Sequence, residues 1–278
     1  MLYRSVSAAL AAALGWILVL PGPVSSSPSV APPSPAIQVA TTGWGRAATQ
    51  DIEALLLNSA SHLLRYFPMR ELPPIFVEPG SRPFVFHRRG AGGQVIVHLN
   101  TGDRYWAQYA FQFSHELGHV LSHYDENPTG NRWFEEALCE VAALFTLRGM
   151  GESWRTDPPY PNWSDYAPEL TRYAAQRIEK FRRPGHVALA DWYRDHAAVL
   201  AENSEDHDLN AVAAVALLPL FEAAPEHWQA IQYLNGGQPD GPRTFEDYLG
   251  DWHRNAPPEH RRFILEIARR FGLKIRAG

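Results

Sequence analysis

The stretch Ser114-His115-Glu116-Leu117-Gly118-His119-Val120 lies inside a helical stripe of apolar residues, Trp106, Phe113, Leu117, Val120 and Leu121. Only a helix aligns residues spaced this way on one side. Asp103 is a candidate cap for that helix, which the pattern carries to about Tyr124. The turn Asn127-Pro-Thr-Gly130 follows, and a second helix is expected from about Arg132 to Arg148. So short a connection lets the two helices pack antiparallel.

The i, i+4 spacing sets His115 and His119 on one face, a turn apart, where two imidazoles reach one zinc ion. Glu116 lies beside them, in place to take a proton from a metal-bound water. A mononuclear catalytic zinc also needs a third protein ligand and an open position. The run Trp133-Phe134-Glu135-Glu136-Ala137-Leu138-Cys139-Glu140 offers carboxylates on the next helix. Glu136 and Glu140 are one turn apart, so one can bind metal while the other accepts the second ring N–H of a ligand histidine.

These residues resemble the gluzincin branch of zinc metallopeptidases, the thermolysin-like proteins and zinc aminopeptidases, in which H-E-x-x-H is followed on a second helix by W-x-x-E-[GA]-x-x-[EDS]. Trp133, Glu136, Ala137 and Glu140 occupy those places, with 16 residues between His119 and Glu136. The resemblance spans about 40 residues, from Trp106 to Arg148. It implies one zinc ion held by His115, His119 and Glu136, with Glu116 as general base and Glu140 as the partner of His115. It also implies an α+β, zincin-like fold: a small mixed sheet and helix lobe carrying the H-E-x-x-H helix, then a mostly helical C-terminal lobe. The run Gln94–Asn100 would be an edge strand against which a peptide lies extended.

The sequence departs from the branch in two places. Gly90-Ala-Gly-Gly-Gln94 stands where aminopeptidases carry Gly-x-Met-Glu-Asn, which weighs against aminopeptidase action. No clear motif supplies the downstream Tyr or His that stabilises the oxyanion. His207, in Glu205-Asp206-His207-Asp208, falls roughly where that group belongs, although a solvated acidic loop at a helix start explains it as well.

The alternatives at the centre are weaker. His123, one further turn along, moves away from the site and is read as solvent-facing or as a second-layer partner. Asp125 would become the third ligand only if the helix broke sharply, where the chain offers Ser122 rather than glycine. Cys139 has no basic residue at helical spacing and reads as a buried, inert thiol.

The start, residues 1–26, has one charge at Arg4, an apolar stretch from about Val6 to Leu20, then Pro21 and Pro23. It reads as a secretory signal, and export to a periplasmic or extracellular space is expected. The stretch is shorter than the roughly 20 residues a spanning helix needs; an uncleaved anchor would be the chain's sole membrane contact. Residues 27–36 form a Ser/Pro-rich linker, and 37–278 the metallopeptidase domain, with an α+β lobe over 37–124 and a helical lobe over 125–278.

Within that domain a helix is expected over about 47–66, then short strands at Pro74–Val77, Pro83–His87 and Gln94–Leu99. The glycine tract 89–93 is a hairpin turn between the last two. Further helices are expected near 167–181, 187–201, 208–223, 225–234 and 258–271. A net charge of −5 gives no general attraction to nucleic acid, so the expected partner is a peptide or protein substrate. The aromatic residues Trp154, Tyr160, Trp163 and Tyr166 are read as packing between lobes, with a substrate or glycan surface as the alternative. The basic C-terminal helix is read as a solvated face.

Overall fold

The computed structural model describes residues 35–68, 70–124, 130–236 and 243–275. The signal-like segment 1–26 and Asp125 lie outside them. The described residues form one unit, mixed α+β, in which a four-stranded sheet backs a set of helices.

Strands β1 (Ile37–Val39), β2 (Ile75–Pro79), β3 (Phe84–Val85) and β4 (Val95–Leu99) are arranged in the order β1-β2-β4-β3. The first three in that order are parallel, and β3 runs antiparallel along β4. Ile75, Val77, Val95, Val97 and Leu99 are buried while their neighbours are half-buried, as strands covered on one face require. Helix α1 (Thr49–Leu64) links β1 to β2, burying Ile52, Leu55, Leu56, Ala60 and Leu63. The turn between β3 and β4 closes with Gly90 N–H to Gln94 O, and Gly93 sits at φ +79°, where a side chain would be strained.

One expectation about the sheet needs correction, and one strand was not foreseen. The run Gln94–Asn100 is not an edge: β4 lies between β2 and β3, and the edge strands are β1 and the two-residue β3. The three-residue β1 went unforeseen because it is too short for an alternation to show.

Helix α2 (Trp106–Leu121) carries the H-E-x-x-H residues, and α3 (Arg132–Ser153) packs against it. Their close approach depends on Gly118, where a Cβ would meet Cys139 Sγ at 2.9 Å and Cα at 3.0 Å. Asp103 does not cap α2. It takes φ +50° and accepts hydrogen bonds from Arg46, leaving Tyr105 at the N-cap position. The helix also stops at Leu121 rather than Tyr124. There Arg70 donates to the carbonyls of Leu121 and Val120 at 2.5 and 2.8 Å, satisfying the helix end with a cation where the dipole favours one.

Beyond α3 lie α4 (Ala167–Phe181), α5 (Leu189–Glu202), α6 (His207–Ala223), α7 (Phe245–Asn255) and α8 (Pro258–Arg270). The segment Pro225–Tyr233 is 3-10 helix. Helix α7 was not expected from the sequence, yet its Phe245, Tyr248 and Trp252 pack with Trp133 and Phe134 on α3. Trp133 is therefore a core anchor, holding the start of α3 in place. The aromatic loop also serves packing: Trp154 and Trp163 are buried, Trp163 stacking on Trp106 at 5.2 Å. On α8, Arg269 and Arg270 pair with Glu266 in solvent. No helix of the described residues is long and apolar enough to cross a membrane.

Candidate metal centre

His115 and His119 project from α2 toward Glu136 on α3. The Oε2 atom of Glu136 lies 3.2 Å from His115 Nε2 and 3.4 Å from His119 Nε2, so both imidazoles converge on a single carboxylate oxygen. The ring centroids are 5.2 Å apart. The opposite ring nitrogens face other carboxylates: His119 Nδ1 is hydrogen-bonded to Glu135 Oε1 at 2.7 Å, and His115 Nδ1 lies 3.8 Å from Glu140 Oε2, beyond hydrogen-bond distance. Each histidine thus turns one nitrogen into a shared space and is backed on the other. That is how an outer carboxylate orients an imidazole for a metal.

The supports extend outward. Asn235 donates to Glu135 Oε2 at 2.8 Å and to the Ser122 carbonyl at 3.2 Å, and Tyr248 O–H donates to Asn235 at 2.9 Å. Ser122 Oγ donates to Glu135 Oε1 at 3.2 Å. On the other side Arg177, from α4, donates to Glu140 Oε1 through Nε and Nη2 at 3.0 and 2.6 Å while lying over Phe111. Glu135, Asn235, Tyr248 and Arg177 were missed by sequence reasoning. Glu135 could have been found, because it directly precedes Glu136, but nothing local marks the other three.

Burial and charge pull against each other here. Burial, the largest influence on both imidazoles, works to lower their pKa values, but neighbouring groups outweigh it. His115 is raised by its hydrogen bond to Glu136 and the charges of Glu116 and Glu136. His119 is raised further by Cys139, Glu136 and Glu135. Glu136, although buried, is held well below the usual carboxylate range by the two histidines. Glu116 is raised, chiefly by burial, and the Val85 N–H donates to it.

Cys139 also belongs to the neighbourhood. Donor atoms of His115, His119 and Cys139 all lie within 4.8 Å of one another, a group able to hold a metal ion. The thiol is buried, as its place in the apolar run suggested, and it shares a hydrogen bond with His119. Helical spacing hid the contact because the partner comes from α2. Burial pushes the thiol up to about 12, so in the absence of a metal it stays protonated at neutral pH.

The helix break that Ser122 was expected to prevent does occur. His123 takes φ +53° immediately after it, and its side chain is exposed, away from the centre. Tyr124 then turns back over the edge strand, its hydroxyl donating to the Phe86 carbonyl.

His115, Glu116, His119, Tyr124, Glu135, Glu136, Glu140 and Arg177 line a cavity of about 330 Å³ whose walls also include Arg82, Pro83, Phe84, Phe111, Arg132 and His207. His207 is the first residue of α6 and is exposed at the cavity. Comparison with protein-family models, with curated proteins and with solved structures finds no match to this chain.

Proposed function

We propose that this chain is an exported zinc-dependent peptidase with a gluzincin-like catalytic centre in a zincin-like fold. The observation that carries the reading is Glu136 Oε2 facing the Nε2 atoms of both His115 and His119, with a carboxylate behind each ring. A zinc ion held by those three residues supplies a Lewis acid and a water of lowered pKa. Glu136 is preferred over Cys139 on geometry, since its Oε2 atom lies 3.2 and 3.4 Å from the Nε2 atoms of the two histidines.

Glu116 stands on the cavity wall between the histidines and the edge strand. Its carboxylate accepts the proton lost when water attacks and passes it to the departing amine. Burial raises its pKa above the usual carboxylate value. Strand β3 borders the same cavity with an unpaired edge, a surface along which an extended peptide adds as a further strand. His207 is the candidate donor to the oxygen that gains charge. The segment 1–26 is proposed to direct export and to be cleaved.

Metal analysis of the purified mature protein, together with digestion of a peptide library, tests the reading. One zinc per chain with cleavage that Glu116→Gln abolishes is the expected result. Zinc without turnover would make the chain a non-catalytic zinc-binding envelope protein, and absence of stoichiometric zinc would remove both.

A further inference from the structure

Three arginines line the cavity, and their situations differ. Arg177 is committed to Glu140, and Arg82 lies 3.7 Å from Glu205. Arg132 is half-buried and, among the described residues, its side chain has no hydrogen bond or ion pair. It is also the first residue of α3, where the helix dipole disfavours a cation. A guanidinium partly withdrawn from water, unpaired and at the wrong helix end stands in an environment that an incoming anion would relieve.

Its place relative to the centre follows from helix geometry. Arg132 and Glu136 are i and i+4 on α3, on one face and about 6 Å apart along the axis. The nearest acid of its own helix face is not its partner, because Glu136 is turned to the two histidines. The other cavity carboxylates are engaged as well: Glu135 with His119, Ser122 and Asn235, Glu140 with Arg177 and His115, Glu116 with the Val85 N–H. An extended peptide advances about 3.3 Å per residue, so a group one or two residues from a bond at the metal centre comes within reach of Arg132.

We infer that Arg132 is a specificity-determining residue that receives a carboxylate of the substrate close to the bond at the centre. The source is an Asp or Glu side chain or the C-terminal carboxylate of a short peptide. A guanidinium meets either with two parallel hydrogen bonds, which an amide cannot supply. This inference rests on the peptidase reading for its chemistry but not for its binding.

Two measurements keep the two separable, both on the full mature zinc-loaded chain. In the first, peptides identical except for Glu or Gln at each position around the cleaved bond, each with a free or an amidated C terminus, are digested and kcat/KM is compared. The acid member is expected to be preferred about tenfold or more, the Glu/Gln or the free/amidated series showing which source counts. Arg132→Gln should bring that ratio close to one, and Arg132→Lys should retain part of it. In the second, the same peptides are titrated into the Glu116→Gln variant, with and without Arg132→Gln, and binding is followed by tryptophan fluorescence. Acid preference in binding that vanishes with Arg132→Gln supports the inference even if the wild-type chain cleaves nothing, which would sink only the peptidase reading. Cleavage or binding with no acid preference, or a preference that survives Arg132→Gln, overturns it.

Discussion

Histidines at comparable depth meet opposite fates in this molecule. His119 on α2 is 9% exposed, while His62, His253 and His260 are each 5% exposed. Burial lowers all four, yet His119 ends well above its ordinary pKa and the other three below theirs. The difference is in what meets the ring. His119 faces Glu135 and Glu136. His62 meets Arg65 and Ser153, and His260 meets another imidazole, His227 Nδ1, at 3.0 Å. His227 itself is stacked on Phe263. A close pair of histidines is therefore not by itself a metal site; carboxylates on both ring nitrogens are what separate the α2 pair from the pair between Pro225–Tyr233 and α8.

That contrast can be broken most directly at the shared carboxylate. Glu136→Ala should lose zinc and all measurable peptidase activity, as metal analysis and a peptide assay would show. If the ion stays, held by Cys139 instead, the ligand assignment fails. Glu116→Gln should keep the ion and lower turnover by at least ~100-fold, the scale of a lost general base. Wild-type rates would refute the mechanism. The backing carboxylates come next. Glu135→Ala and Glu140→Ala should each weaken zinc affinity by ~10–100-fold in chelator competition. Because Glu135 sits closer to its histidine and carries the Asn235 and Tyr248 chain behind it, its loss should be the greater of the two.

Smaller effects test the other histidines. His62 is pushed down to about 4 by burial and then by the charge of Arg65. A depressed folded pKa means that the unfolded chain binds the extra proton, so stability is intact above the ordinary value of 6.5 and falls as pH drops below it. Between pH 7 and 5 the loss should be about 1–2 kcal/mol in urea unfolding, and His62→Gln should flatten it. A wild-type profile flat over that range would show that the ring is protonated in the folded state. Smallest of all, His227→Ala should leave the zinc content unchanged, whereas a drop would make the second histidine pair a metal site after all.

The fold was legible where side chains repeat over several turns. The stripe on α2 and the apolar spacing of α1 announce helices because burying one face needs a residue every three or four positions, and that period survives in the sequence. Strand β1 and helix α7 were not legible. Three residues cannot show an alternation, and α7 is held by aromatic contacts to α3 made across more than a hundred residues. The placing of Gln94–Asn100 at the sheet edge failed for a similar reason: strand order depends on pairing partners, which no local pattern encodes.

At the centre the division is sharper. The chain's own order determined that His115, Glu116 and His119 share one helix, and that Glu136 and Glu140 share a second, since helical spacing alone puts those groups on common faces. Which face of α3 meets α2 was decided by packing, through Gly118 against Cys139 and the aromatic cluster around Trp133. That choice turned Glu136 inward between the two imidazoles, brought Glu135 rather than solvent to His119, and gathered Asn235, Tyr248 and Arg177 from distant segments. Such contacts depend on the relative placement of whole helices, and that placement exists only once the core has formed.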